Sequence, residues 1–205
     1  MRRTGVFLAA LAVTLLVATA GTAAPPSVTI SLSRPSVVYG GSVALSGKVS
    51  NNKTGETVDV LADPFGATGF SVLGSVTTAG GGHWTDVVKP TIETSYEAKW
   101  KNATSSTVTV KVRPLITLTL VNLSTGTFST KVTAERLFAG KFVLVQRLSS
   151  SGVAALKKVI LDTSSSATFH VRLHQGRSRL RVVMPTSQTA PGYITGVSKV
   201  LTVNR

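Results

Sequence analysis

Residues 169–174 read Phe169-His170-Val171-Arg172-Leu173-His174, so apolar and basic side chains alternate one by one. Successive side chains of a β-strand point to opposite faces, and this alternation sends one set to a core and the other to solvent. A helix would space its apolar positions three and four residues apart instead. Residues 179–182, Arg179-Leu180-Arg181-Val182, repeat the alternation.

The same period of two runs from Val28 onward, carried by β-branched residues and broken by Gly, Pro, Ser and Asn. No stretch shows helical spacing, which predicts an all-β protein. In the first half the pattern predicts strands over 28–33, 42–50, 57–62, 71–77, 83–88, 95–100 and 107–112. Short strands about a dozen residues apart suit a β-sandwich. The second half repeats their order over 116–121, 126–134, 140–148, 154–161, 167–173, 179–184 and 198–203. A period of roughly 85 to 88 residues means domain-sized units, not solenoid turns. Two tandem β-sandwich domains are therefore expected, over 28–113 and 114–205, with Arg113-Pro114 between them. A link this short favours a stiff, extended pair.

Ahead of the first strand, Arg2 and Arg3 precede the apolar stretch from Val6 to Ala18, and small residues follow from Ala18 to Ala24. That layout predicts a cleavable export signal over residues 1–23. Its apolar part is shorter than the roughly 20 residues that span a bilayer. No second apolar span follows, so no transmembrane segment is expected in the mature chain, and the protein is expected outside the cell, secreted or held at its surface. The chain has no cysteine. Each domain must then be held by its apolar core without a disulfide, which is feasible at roughly 90 residues.

Several stretches carry a resemblance. Tyr39-Gly40-Gly41-Ser42-Val43-Ala44-Leu45-Ser46-Gly47, Gly55-Glu56-Thr57-Val58, Gly82-His83-Trp84, Thr94-Ser95-Tyr96 and Val108-Thr109-Val110 resemble bacterial immunoglobulin-like repeats of secreted and cell-surface proteins. The resemblance covers 28–113 well and 115–205 poorly. It implies the immunoglobulin-like sandwich and an adhesion, spacer or accessory role. It also implies that Tyr96 is a tyrosine-corner residue, whose hydroxyl bonds back to the main chain. Ala98 stands where antibody domains carry a cysteine, and the large aromatic is Trp84, so the domains depart from the antibody type. Trp84 and Tyr96 are expected in the core of the first domain, and Phe169 is the second domain's counterpart of Trp84.

Reactive chemistry finds little support. Gly80-Gly81-Gly82 leads into a β-run with Trp84 and carries no lysine, so a hairpin turn explains it better than a phosphate loop. The sequons at Asn52, Asn102 and Asn122 are of a kind that arises by chance in Ser/Thr-rich chains. His170 and His174 would lie about 13 Å apart along a strand, too far to share one zinc ion at bonds near ~2.0 Å. A calcium site from Asp59, Asp63 and Asp86 lacks a contiguous acidic loop. No Gly-x-Ser-x-Gly elbow is present, and Glu135 and Asp162 are the only acids of the second half, so facing carboxylates are not available there. The chain is expected not to be an enzyme and to need no cofactor.

Charge separates the two halves. The formal net charge is +14, but residues 28–113 hold eight Lys/Arg against six Asp/Glu, and residues 114–205 hold twelve against two. Arg172, Arg177, Arg179 and Arg181 are therefore candidate polyanion-binding residues. In an immunoglobulin-like topology the strands carrying Arg172 and Arg179 fall in opposite sheets, so these charges would meet only near Gln175-Gly176-Arg177. Two functional classes follow. One is a structural, adhesive or spacer module whose partner is an unidentified protein or cell-envelope glycan; the other is a binder of an anionic polymer through the second domain.

Overall fold

A computed structural model describes residues 24–205; the predicted export signal, over 1–23, lies outside the described residues. The first sandwich pairs a three-stranded sheet with a larger one. The small sheet has the order β1 (Ser31–Leu32), β3 (Val43–Lys48), β6 (His83–Val88). The larger sheet has the order β2 (Ser36–Val38), β9 (Val108–Arg113), β7 (Thr94–Trp100), β4 (Thr57–Pro64), β5 (Ser71–Thr77), with β8 (Ala103–Thr104) on the end of β7.

Pro114 alone separates β9 from β10 (Leu115–Asn122), the first strand of the second sandwich. There the small sheet runs β10, β11 (Thr127–Thr133), β14 (Ser166–His170). The facing sheet runs β13 (Gly152–Ile160), β12 (Phe142–Ser149), β15 (Arg177–Met184), and both β16 (Gly196–Val197) and β17 (Leu201–Asn204) pair with β15. The protein is all-β, two immunoglobulin-like sandwiches in tandem. Its helical turns are limited to Gly80–Gly82 and α1 (Thr186–Thr189) among the described residues.

Alternation fills both cores. Val43, Leu45, Val58, Val60, Val110 and Val112 point inward in the first sandwich, and Val143, Val145, Leu180, Val182 and Met184 do so in the second. Trp84, 1% exposed, lies across the small sheet from Gly47. A Cβ at Gly47 would collide with the Thr29 carbonyl oxygen and with the Trp84 indole nitrogen, so only glycine fits beneath that ring. In the second sandwich the buried Phe169 lies across from Phe128, and the two rings stack with centroids 6.0 Å apart. Such a pair contributes about 0.5–1.5 kcal/mol beyond the area it buries.

Three strand ends differ from the pattern. The expected first strand, 28–33, makes only a single bridge, Val28 to Val49, and a two-residue ladder at Ser31–Leu32. Past Pro35, which has no N–H for a ladder, the chain crosses to the other sheet and β2 pairs in parallel with β9. The expected strand 167–173 stops pairing at His170, although Val171 and Leu173 stay buried. The expected last strand, 198–203, pairs only from Leu201 onward, and ahead of it the buried Ser198 hydroxyl accepts the Val182 N–H (2.9 Å) where a backbone carbonyl would continue the ladder from β16.

Candidate functional site

The four arginines predicted to bind polyanions occupy two separate surfaces. Arg177, Arg179 and Arg181 project from β15 on its outer face, alternating with the buried Ser178, Leu180 and Val182. Arg181 donates from Nε to Gln146 Oε1 on the neighbouring β12 (2.8 Å). Arg172 lies beyond the end of β14, on the other sheet, and is exposed.

Arg172 has neighbours that local alternation does not reveal. The hairpin β12–β13 overhangs the free edge of β14, and a depression of about 270 Å³ lies between them. Arg147, Lys157, His170, Arg172 and His174 line it together with Leu156 and Val171. Arg147 continues the inward set of β12 after Val143 and Val145, and its Nη2 donates to the Arg172 carbonyl oxygen (3.0 Å). Its Nε is buried without a hydrogen-bond partner, an arrangement that costs about 1–3 kcal/mol for an unsatisfied donor. The His170 Nδ1 sits 3.0 Å from the Thr127 hydroxyl, which leaves Nε2 as the free ring nitrogen. Among the described residues no carboxylate pairs with any of these five side chains; the ion pair present is Lys101 with Glu56 in the other sandwich.

The second feature with built geometry is the joint between the sandwiches. The loop between α1 and β16 reaches back onto the first domain. Tyr193, 2% exposed, donates from its hydroxyl to the Thr91 carbonyl (2.8 Å), and the same oxygen accepts the Glu135 N–H (3.1 Å). Main-chain bonds flank it: Glu93 N–H to Gly192 O (2.9 Å) and Ile194 N–H to Val112 O (3.0 Å). Arg113 Nη1 donates to the Thr195 carbonyl (2.8 Å), and the Tyr39 hydroxyl approaches Glu135 Oε2 at 3.5 Å. Gly192 has φ +81°, and a Cβ there would press on Ile92 and Phe65 of the first domain. The Tyr193 ring packs edge-on against Phe138, with the Arg136 guanidinium over both rings. Burial pushes the Tyr193 hydroxyl above the usual phenol range, and the neighbouring Glu135 carboxylate adds to the shift.

The remaining sequence candidates are structural or dispersed. The buried Tyr96 takes the Thr94 side chain as its polar neighbour, and burial pushes its hydroxyl up to about 12. Asp59 accepts a hydrogen bond from Ser75 (2.6 Å) and Asp86 from the Val87 N–H (2.8 Å); no group of three or more His, Asp or Glu able to hold a metal ion converges among the described residues. No described helix is long and apolar enough to cross a membrane.

No protein-family model and no curated protein matches the sequence. Among solved structures, the chain is similar to a tetra-tandem repeat in the extending region of a large adhesion protein, at 13% identity and a TM-score of 0.35. The likeness covers 87% of this chain and 49% of that one, so the chain spans about half the length of the structure it matches.

Proposed function

We propose that this chain is an extracellular, non-catalytic structural module in which two sandwiches, held at a fixed mutual orientation, act as a spacer or adhesive segment. The observation that carries the reading is the joint. A one-residue link already restricts motion, and the bonds of Tyr193, Glu93, Ile194 and Arg113 add contacts that a flexible tether would lack. The export signal read over 1–23 supplies the compartment, and the lack of cysteine suits a module stabilised by packing alone.

Residual dipolar couplings of the chain from Ala24 onward test the joint directly. Both sandwiches should fit one alignment tensor, and Tyr193→Phe, which removes only the hydroxyl shared by Thr91 and Glu135, should pull the two fits apart. Two unrelated tensors in the unaltered chain overturn the reading.

A second reading, binding of an anionic polymer by the second sandwich, is favoured by the charge distribution. Twelve basic residues against two acidic ones lie in 114–205, and Arg177, Arg179 and Arg181 offer an outer-face row of charge. Affinity for such a polymer should fall steeply with salt, because each neutralised phosphate releases counterions.

A further inference from the structure

We infer that the depression between the β12–β13 overhang and the end of β14 is a discrete phosphate-binding site, with Arg147, Lys157, His170, Arg172 and His174 as its donors. The inference rests on the second reading above, anion binding by the basic half, and moves it from the outer face of β15 to a defined cleft.

Three observations carry it. First, the five side chains converge from both strands of the β12–β13 hairpin and from β14 with the segment after it. Dispersed solubility charge keeps like charges apart, whereas here the fold crowds them. Second, no carboxylate pairs with any of them among the described residues, so the local field is uncompensated. Third, Arg147 is not a free surface side chain. Its guanidinium is pinned by the bond to the Arg172 carbonyl, and its Nε is buried unpartnered. A guanidinium held in place before the ligand arrives loses less side-chain freedom on binding.

The donor set selects the ligand class. Guanidinium forks match the oxygens of a phosphate group, and the ammonium of Lys157 adds a point charge. At about 270 Å³ the cleft is smaller than the usual range for drug-sized ligands, which suits a phosphate group and its adjoining ester. Arg177, Arg179 and Arg181 do not line it.

The phosphate comes either as a free ion or as one unit of a phosphodiester polymer, and two probes separate these sources. The chain from Ala24 is titrated with inorganic phosphate and with a glycerol-phosphate oligomer, following arginine Nε–H and histidine ring resonances at fixed ionic strength. Arg172→Ser with Lys157→Ser removes two exposed cleft charges; Arg177→Ser with Arg179→Ser removes the same charge from β15. The inference expects the cleft pair to weaken binding of at least one probe by about tenfold or more, and the β15 pair by less than about threefold, since a phosphate contact acts locally. Weakening of both probes places a free phosphate group in the cleft; weakening of the oligomer alone assigns it to the polymer. Equal weakening by the two pairs overturns the cleft and leaves anion binding by diffuse charge. Oligomer binding lost only in the β15 pair overturns the cleft in favour of the outer face. Failure of both probes to bind overturns the cleft and the anion-binding reading together.

Discussion

The two sandwiches share a strand plan and solve its central problem differently. In the first, one tryptophan covers a glycine; in the second, two phenylalanines share the same kind of cross-strand position. The first closes the seam beside β9 with the parallel strand β2, whereas the second has no such strand, and its last strand is split around Ser198. The first is nearly balanced in charge and the second strongly basic. The fold therefore asks for a filled inner layer and an alternating pattern, not for a particular residue at a particular place. Volume can be divided one-and-none or half-and-half, and the outer face is free to carry charge.

The largest effects should come from the two ways of filling that layer. Trp84→Ala should destabilise the first sandwich by about 3–5 kcal/mol, as loss of a buried aromatic does, read as a lower midpoint in urea. An unchanged midpoint would place the indole outside the core. Phe169→Ala should cost the second sandwich a comparable amount and leave Phe128 without its stacking partner. Gly47→Ala should cost about 1–3 kcal/mol through overpacking. Trp84→Phe should not rescue it, because the Thr29 backbone carbonyl stands in the way as well as the indole. Full rescue would show that the ring alone dictates glycine at this position.

Alkali provides a smaller, graded test. Burial raises the Tyr96 hydroxyl from 10.0 to about 12. A group whose folded value is raised contributes stability that is fully present below its unfolded value and is lost as pH rises through the folded one. The first sandwich should therefore weaken from about pH 10 upward, and Tyr96→Phe should flatten that limb. Tyr193 is shifted in the same direction, so the joint should loosen over the alkaline range too. A Tyr96→Phe variant with the parent's alkaline profile would assign the loss to other groups.

Alternation makes the sheets legible because a strand's two faces are decided by its own residues. Strand ends are less so. Pro35 redirects the chain to the opposite sheet, and the Ser198 hydroxyl replaces a ladder acceptor, both through partners far away in sequence. The candidate site shows the same limit. Arg172 stands out within Phe169–His174, but Arg147 and Lys157 join it only because the β12–β13 hairpin overhangs β14. That packing of sheet on sheet leaves no mark on a local pattern. The one available signal at Arg147 is a basic residue in the inward phase of Val143 and Val145. Tyr193 lies in a Pro-Gly turn, where an aromatic has no period to fit, and its role depends on a carbonyl in the other domain.

The smallest expected effect concerns acid, and it compares one carboxylate from each sandwich. In the first, Glu56 accepts from Trp100 Nε1 (2.9 Å) and Asn51 Nδ2 (2.7 Å), and these bonds, with Lys101 and Lys53 nearby, hold its carboxyl below the usual range. In the second, Asp162 accepts from the Ser164 hydroxyl and the Ser166 N–H, and is lowered likewise. A group whose folded value is depressed stabilises the fold above its unfolded value, and the contribution disappears as pH falls through the folded one. Both sandwiches should therefore lose a little stability below about pH 4.5. Both carboxylates are solvated, so each loss should be small beside that of Trp84→Ala. Glu56→Gln should flatten the acid limb of the first sandwich and leave that of the second unchanged, while Asp162→Asn should do the reverse. Thermal melts between pH 6 and pH 3, followed by Trp fluorescence for the first sandwich and by amide resonances of β15 for the second, separate the two limbs. If Glu56→Gln alters both limbs equally, the joint couples the domains into one unfolding unit, and the comparison between two independent sandwiches gives way to a single cooperative one.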